Sequence, residues 1–125
     1  IVGVATISDG ATIRVGERRI RFDGVEVPRS RAMCGEINVN RAATDALRSL
    51  IRSEEVRCSI SDLPDNNGRD IAHCRVGDTN LGEYMVAQGW ARATDSAYAD
   101  SQEAARAAHL GVWGLQCASD PWPID

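Results

Sequence analysis

Alternating and periodic apolar positions divide the chain into five strands and three helices. Short runs rich in β-branched residues, in which apolar and polar side chains alternate, predict strands, whereas apolar residues at three- and four-residue spacing predict helices. The strand pattern covers residues 1–8, 12–15, 19–25, 55–60 and 70–76. The helical pattern covers residues 38–52, 81–88 and 96–109.

Turn and capping residues separate these elements. Asp9-Gly10 is a tight-turn signal, and Pro28 ends the third strand because proline removes a ladder donor. Asn38 or Asn40 is the predicted cap of the first helix, and Ser96 that of the last. A strand order with one helix between the third and fourth strands predicts an α+β fold, mainly β: a five-stranded Greek-key OB-fold barrel with three helices, in one domain over residues 1–125.

Charge and composition limit the kinds of partner that this chain is expected to bind. The chain of 125 residues carries a net charge of −4, and all fourteen basic residues are arginine. A nucleic-acid-binding protein usually has a net positive field, so any nucleic-acid binding is expected to be weak. No apolar run is long enough to cross a bilayer, so no membrane span is expected. We predict a monomer.

Four cysteines indicate either two disulfides or four buried thiols. None forms a CxxC pair, and the two histidines are not at zinc-ligand spacing, so a zinc site is not expected. Three pairings are possible in principle. Cys58 and Cys74 are nearly equidistant from the loop of the second hairpin, which favours their pairing and leaves Cys34 with Cys117. Two disulfides would indicate an oxidising compartment, hence a secreted or periplasmic protein.

Five linked segments carry a family resemblance. They read ATISDGATIRVGERRIRFDGVEVP, AATDALRSLI, NNGRDIAHC, NLGEYMVAQGWARA and AARAAHLGVW, in this order and over nearly the whole chain. This pattern resembles the staphylococcal (thermo)nuclease family. The resemblance implies an OB-type barrel with three helices and, in active members, calcium-dependent cleavage of DNA and RNA phosphodiesters. Secreted bacterial members often carry cysteines in the second hairpin, which supports the Cys58–Cys74 pair.

The resemblance also implies which residues would contact a phosphate. Arg21 occupies the position of the phosphate-contacting arginine in the third-strand motif, and Arg69 that of the second catalytic arginine. The tyrosine that contacts nucleotide in the family is Asn67 here. The water-activating glutamate of the family is replaced by Arg29, which remains protonated and cannot act as a base.

The calcium side of the motif departs further from the family. Where the family has D-G-D-T, this chain has Asp9-Gly10-Ala11-Thr12, so one calcium ligand is lost. Glu26 replaces the second calcium-binding aspartate and is longer by one methylene. Asp9, Glu26 and the Thr12 carbonyl remain as a degenerate metal site that calcium, which requires several charged oxygens, should bind poorly. No cofactor is expected, or calcium if the site still functions.

These departures predict a protein that binds an anion and lacks calcium-dependent nuclease activity. The pocket would hold phosphate, a nucleotide or an acidic sugar on Arg21, Arg69 and Arg29, with Arg31 nearby, and Glu26 would pair with one of these arginines. Two alternatives remain: a rearranged metal-dependent nuclease, and an accessory protein of succinoglycan-type exopolysaccharide biosynthesis. Trp122, between two prolines, is predicted to pack on the body of the protein.

Overall fold

The computed structural model describes residues 1–64 and 67–123, and only the backbone of residues 63 and 64. The strands are β1 (Val2–Asp9), β2 (Thr12–Val15), β3 (Arg18–Phe22), β4 (Val25–Glu26), β5 (Met33–Cys34), β6 (Ile37–Asn38), β7 (Glu55–Pro64), β8 (Asp70–Val76), β9 (Thr79–Asn80) and β10 (Arg92–Ala93). The helices are α1 (Val39–Ile51), α2 (Leu81–Ala87) and α3 (Ala99–Ala107).

Five of the strands close into a barrel. The order β3-β2-β1-β7-β8 is antiparallel throughout, and a parallel pairing of β3 with β8 joins the two ends. Inward residues on neighbouring strands oppose one another, as Ile7 does Ile13 and Ile13 does Ile20. Their burial provides most of the barrel's hydrophobic stabilisation. Five barrel strands and three helices confirm the predicted OB-type fold.

Helix α1 packs its apolar stripe on the barrel. Val39, Ala43, Leu47 and Ile51 recur at helical spacing and are all buried. The last three belong to the barrel core, whereas Val39 packs in a separate small cluster. The Asn38 side chain accepts a hydrogen bond from the Arg41 backbone N–H at 3.0 Å, so Asn38 rather than Asn40 is the cap. A side chain at Gly10 would approach the Ala43 Cβ to 2.9 Å, so the small residue after Asp9 lets the helix lie directly on this turn.

The third strand is shorter than predicted, and the difference shapes the site. Residues 19–25 were expected to form one strand, but β3 ends at Phe22 and Gly24 turns the chain with φ +79°. An L-residue rarely adopts this conformation, so the glycine permits the break. Beyond it, β4 leaves the barrel and pairs with β10, which aligns Glu26 with Arg92.

The second hairpin and the last helix also differ from the prediction. The fourth strand, predicted to end at residue 60, continues as β7 to Pro64, and residues 65 and 66 lie outside the described part of the chain. The last helix is preceded by a 3₁₀ turn over Ser96–Tyr98, and Asp95 rather than Ser96 is the capping residue: it caps this turn, while α3 begins without a side-chain cap. This tighter turn places the Tyr98 ring in the core with 6% of its surface exposed.

Both predicted disulfides are present. Cys58 and Cys74 are directly opposed on β7 and β8, and Cys34 bonds to Cys117. The second bridge lies in a small core cluster of its own, with Ala32, Val39, Val112 and Trp122. Trp122 is 5% exposed and stacks at a tilt on Trp113, so the prediction that it packs on the body is confirmed. Among the described residues, no helix has the length and apolarity needed to span a membrane.

Candidate anion-binding cleft

All six predicted phosphate and metal residues line one open cleft. It has a volume of about 300 Å³ and lies where the β1–β2 turn, the end of β3, β4 and the start of β8 meet. Asp9 and Thr12 come from the turn, Arg21 from β3 and Glu26 from β4. Arg29 and Arg69 come from the segments that follow β4 and precede β8. The family motifs predict that these six residues lie together, and the structure places them in one cleft. Their roles in binding a phosphate or a metal remain predictions.

The parallel pairing that closes the barrel brings Arg21 and Arg69 together. Arg21 is opposite Ile71, two residues after Arg69. Ile20 and Phe22 are buried, so the intervening Arg21 side chain lies on the outside of the barrel. Its Nη2 donates a hydrogen bond to the Val25 carbonyl at 3.0 Å, which fixes the guanidinium at the mouth of the cleft. The two guanidinium groups form the basic side of the site.

The β1–β2 turn supplies little to a cation. One Asp9 carboxylate oxygen accepts a hydrogen bond from the Ala11 backbone N–H at 2.8 Å. Ala11 is 3% exposed and presents only a methyl group. Thr12 is buried as well. The Asp9 carboxylate therefore stabilises this turn, and the buried methyl group of Ala11 occupies the position of the missing calcium ligand.

Glu26 is bonded to Arg92, a residue that the sequence analysis did not place in the site. The Arg92 Nε donates to Glu26 Oε1 at 2.7 Å, and Nη2 donates to the same oxygen. Only 12% of the Glu26 side chain and 25% of the Arg92 side chain are exposed. The predicted pairing of Glu26 thus occurs with Arg92 rather than with Arg21, Arg29 or Arg69. A partly buried carboxylate with an arginine partner contributes no net negative charge to the cleft.

Arg29 holds the C-terminal tail against the cleft. Its Nη1 donates to the Trp122 carbonyl at 3.0 Å and its Nη2 to the Asp120 carbonyl at 2.6 Å. The Arg29 backbone N–H donates to the Pro121 carbonyl at 2.9 Å. Arg92 adds a hydrogen bond to the Pro123 carbonyl at 3.2 Å, and Pro123 forms one wall of the cleft. Arg31 lines a neighbouring groove instead.

A calcium ion does not fit this donor set. Calcium is bound by six to eight oxygens, several of them charged. Ala11 offers none from its side chain, and Glu26 is engaged by Arg92. Three arginines line the same cleft and would repel a cation. In the described part of the chain, no three His, Cys, Asp or Glu side chains lie close enough to hold a metal ion.

Sequence reasoning missed Arg92 and Pro123 because both reach the cleft through tertiary contacts. The one local signal for Arg92 is a charged residue directly after the apolar pair Trp90 and Ala91, in the short segment between the second and third predicted helices. A charge in an apolar strand usually has a partner. Pro123 gave no signal, since its place depends on how Arg29 and the Cys34–Cys117 bridge hold the tail.

Comparison with known proteins agrees with this structure. The family model for staphylococcal nuclease homologues matches residues 19–114. The succinoglycan biosynthesis protein ExoI of Rhizobium meliloti (strain 1021) is 26% identical over 127 residues, which cover 93% of this chain and 66% of the relative. The chain therefore spans slightly under two thirds of that relative's length. From the family match over most of its length, this chain belongs to the staphylococcal nuclease homologue family.

Proposed function

We propose that this domain binds an anionic ligand on Arg21 and Arg69 and has lost calcium-dependent phosphodiesterase activity. The observation that carries the proposal is the Glu26–Arg92 pair. It neutralises the one carboxylate that remains at a family metal-ligand position, so the cleft has no charged oxygen to spare there. Arg21 and Arg69 line the same cleft and give it the positive charge that an anionic ligand requires. Planar guanidinium forks bind carboxylate, phosphate and sulfate groups through paired hydrogen bonds.

The residue that would activate water is also absent from this arrangement. Arg29 stands in place of the family glutamate, and an arginine cannot accept a proton at any accessible pH. Its guanidinium is bonded to two tail carbonyls, so it holds the wall of the cleft. Arg29 keeps a positive charge beside Arg21 and Arg69, and this charge favours an anion in the space between them.

A nuclease assay tests the loss of activity. We expect no hydrolysis of fluorogenic single-stranded DNA above the buffer rate with calcium, because groups that act as a catalytic unit lose most of the rate when several are replaced. A family member that carries all three carboxylates is the positive control. The same assay with magnesium, manganese and zinc tests a rearranged site built on Asp9 and Glu26. Calcium-dependent turnover comparable to the positive control would overturn the proposal.

The relative supports a biological setting for an anion-binding domain. It is named for succinoglycan biosynthesis, and an arginine-lined cleft suits the carboxylate or other acidic substituents of an exopolysaccharide. We propose that this chain is a monomeric accessory protein of acidic exopolysaccharide production. Its two disulfides are typical of an oxidising compartment, so we place it outside the cytoplasm, in the periplasm or secreted.

Calorimetry with small anions tests the binding role. We expect galacturonic acid, sulfate or a nucleoside bisphosphate to bind the wild-type protein, and Arg21→Gln/Arg69→Gln to weaken that binding by about tenfold or more, since charge-assisted hydrogen bonds contribute roughly 1.5–3 kcal/mol each. Arg41→Gln/Arg48→Gln removes the same charge from the exposed face of α1 and should change little. Unchanged affinity in the first double variant, or no binding of any of the three anions, would refute the role.

A further inference from the structure

A second concavity lies on the outside of the barrel, at the other end of β8. It has a volume of about 300 Å³. The polar side chains around it are Arg57, Ser59, His73, Arg75, Asp78 and Asn80, and the Cys58–Cys74 disulfide forms part of its wall. The disulfide ties β7 to β8 at this point. The cavity is therefore formed on a cross-linked hairpin, and the quoted family segments contribute only His73 and Cys74 of NNGRDIAHC and Asn80 of NLGEYMVAQGWARA to its lining.

Two arginines face each other across this cavity. Arg57 on β7 is directly opposite Arg75 on β8, and both are exposed. Like charges in directly opposed positions destabilise a sheet. In the described part of the chain, no carboxylate lies within 4 Å of either guanidinium; Arg75 makes one hydrogen bond, to the Gly77 carbonyl at 3.2 Å. An anion bound between them would relieve this repulsion.

The acidic groups near the cavity do not cancel its charge. Asp78 lines it without an ion pair to either arginine. Asp23 contacts His73 instead, with 3.3 Å between its Oδ2 and the His73 Nε2. The other nitrogen of His73, Nδ1, is 3.4 Å from the Tyr98 hydroxyl, which accepts a hydrogen bond from Asn80. The imidazole is thus held in place between β3 and the turn before α3.

Strand β8 connects this cavity to the anion-binding cleft. Ala72 and Cys74 are buried, so Ile71, His73 and Arg75 point outward, in line with Arg69. Arg69 lines the cleft, whereas His73 and Arg75 line the second cavity. At about 3.3 Å per residue, the six residue steps from Arg69 to Arg75 span roughly 20 Å. Two basic sites therefore lie at the two ends of one strand face.

We propose that this face, from Arg21 and Arg69 to Arg57 and Arg75, binds one extended acidic polysaccharide chain, with anionic groups of the chain in both cavities. The inference rests on the proposed function and names its ligand as a polymer rather than a small anion. Single-stranded nucleic acid is disfavoured because its binding relies on base stacking, and no Trp, Tyr or Phe among the described residues lines either cavity. Linked anionic groups that engage both sites bind more tightly than either group alone.

Comparing the affinities for polygalacturonate and for its monomer, galacturonic acid, tests this inference separately from the proposed function. We expect the polymer to bind more tightly than the monomer, and Arg57→Gln/Arg75→Gln to weaken polymer binding by about tenfold or more while the monomer affinity for the cleft stays within about twofold. Arg41→Gln/Arg48→Gln is the charge-matched control. Loss of two opposed like charges should not lower stability, so a folding defect is not expected to obscure the result.

Each outcome decides between the two claims. Polymer binding that is insensitive to Arg57→Gln/Arg75→Gln, or absent, overturns the polymer site. If polymer binding depends on Arg57 and Arg75 but not on Arg21 and Arg69, and the monomer does not bind, the second cavity binds the polymer alone. That outcome refutes the role of the cleft and overturns the two-site face. Tighter binding of oligothymidylate than of polygalacturonate would overturn the assignment to a polysaccharide.

Discussion

Replacing both Cys34 and Cys117 by alanine is expected to lower the free energy of unfolding by about 4.5 kcal/mol, the largest effect of any change considered for this chain. The bridge joins residues 83 positions apart, so it removes much of the conformational entropy of the unfolded chain. It also holds the tail whose carbonyls accept hydrogen bonds from Arg29 and Arg92. Without the bridge, the described part of the tail would be held by these hydrogen bonds and by the small core cluster around Trp122.

Urea unfolding of the oxidised proteins measures this effect, with Cys58→Ala/Cys74→Ala as the matched variant. That bridge spans 16 positions, and the same chain-entropy model gives about 3 kcal/mol. The long bridge should therefore matter more, although both variants remove one disulfide and two buried sulfur atoms. A smaller loss in Cys34→Ala/Cys117→Ala than in the hairpin variant would contradict the expectation and would mean that the tail unfolds separately from the barrel.

Local patterns predicted those parts of the fold that depend on neighbouring residues. The apolar spacing of α1 and the capping side chain of Asn38 specify the same helix that the structure contains. The Cys58–Cys74 pair followed from two strands of similar length around one loop, since hairpin register is fixed by the turn. The third strand was predicted too long because Gly24 was treated as part of an extended run, although its positive φ turns the chain there.

The site was predicted in its positions but not in its connections. The family motifs brought Arg21, Arg69 and Glu26 to one cleft because motif residues keep their place in the barrel. The partners of Glu26 and Arg29 are 66 and more than 90 positions away in sequence. Those contacts depend on the pairing of β4 with β10 and on the course of the tail, and neither leaves a periodic signal in the sequence.

Arg92→Met is expected to destabilise the protein by about 3 kcal/mol, because removing one partner of a buried ion pair leaves the other charge without compensation. Methionine keeps an unbranched stem but loses the guanidinium, whose carbon lies 5.6 Å from the Trp122 ring centroid and which also bonds to the Pro123 carbonyl, so the loss includes these two contacts as well as the ion pair. In Arg92→Met/Glu26→Gln no unpaired charge remains, and most of the stability should return. Denaturant unfolding of wild type, both single variants and the double variant forms a complete double-mutant cycle.

The same cycle tests whether the Glu26–Arg92 pair sets the sign of charge in the cleft. Arg92→Met alone exposes an uncompensated carboxylate beside Arg21 and Arg69, so the affinity for galacturonic acid or sulfate should fall, whereas Arg92→Met/Glu26→Gln should restore it. A stability loss below about 1 kcal/mol in Arg92→Met, the value typical of an exposed pair, would contradict the role of burial. If stability follows the expected order but anion affinity does not change, the pair supports the fold, and the cleft's preference for anions must come from its other arginines.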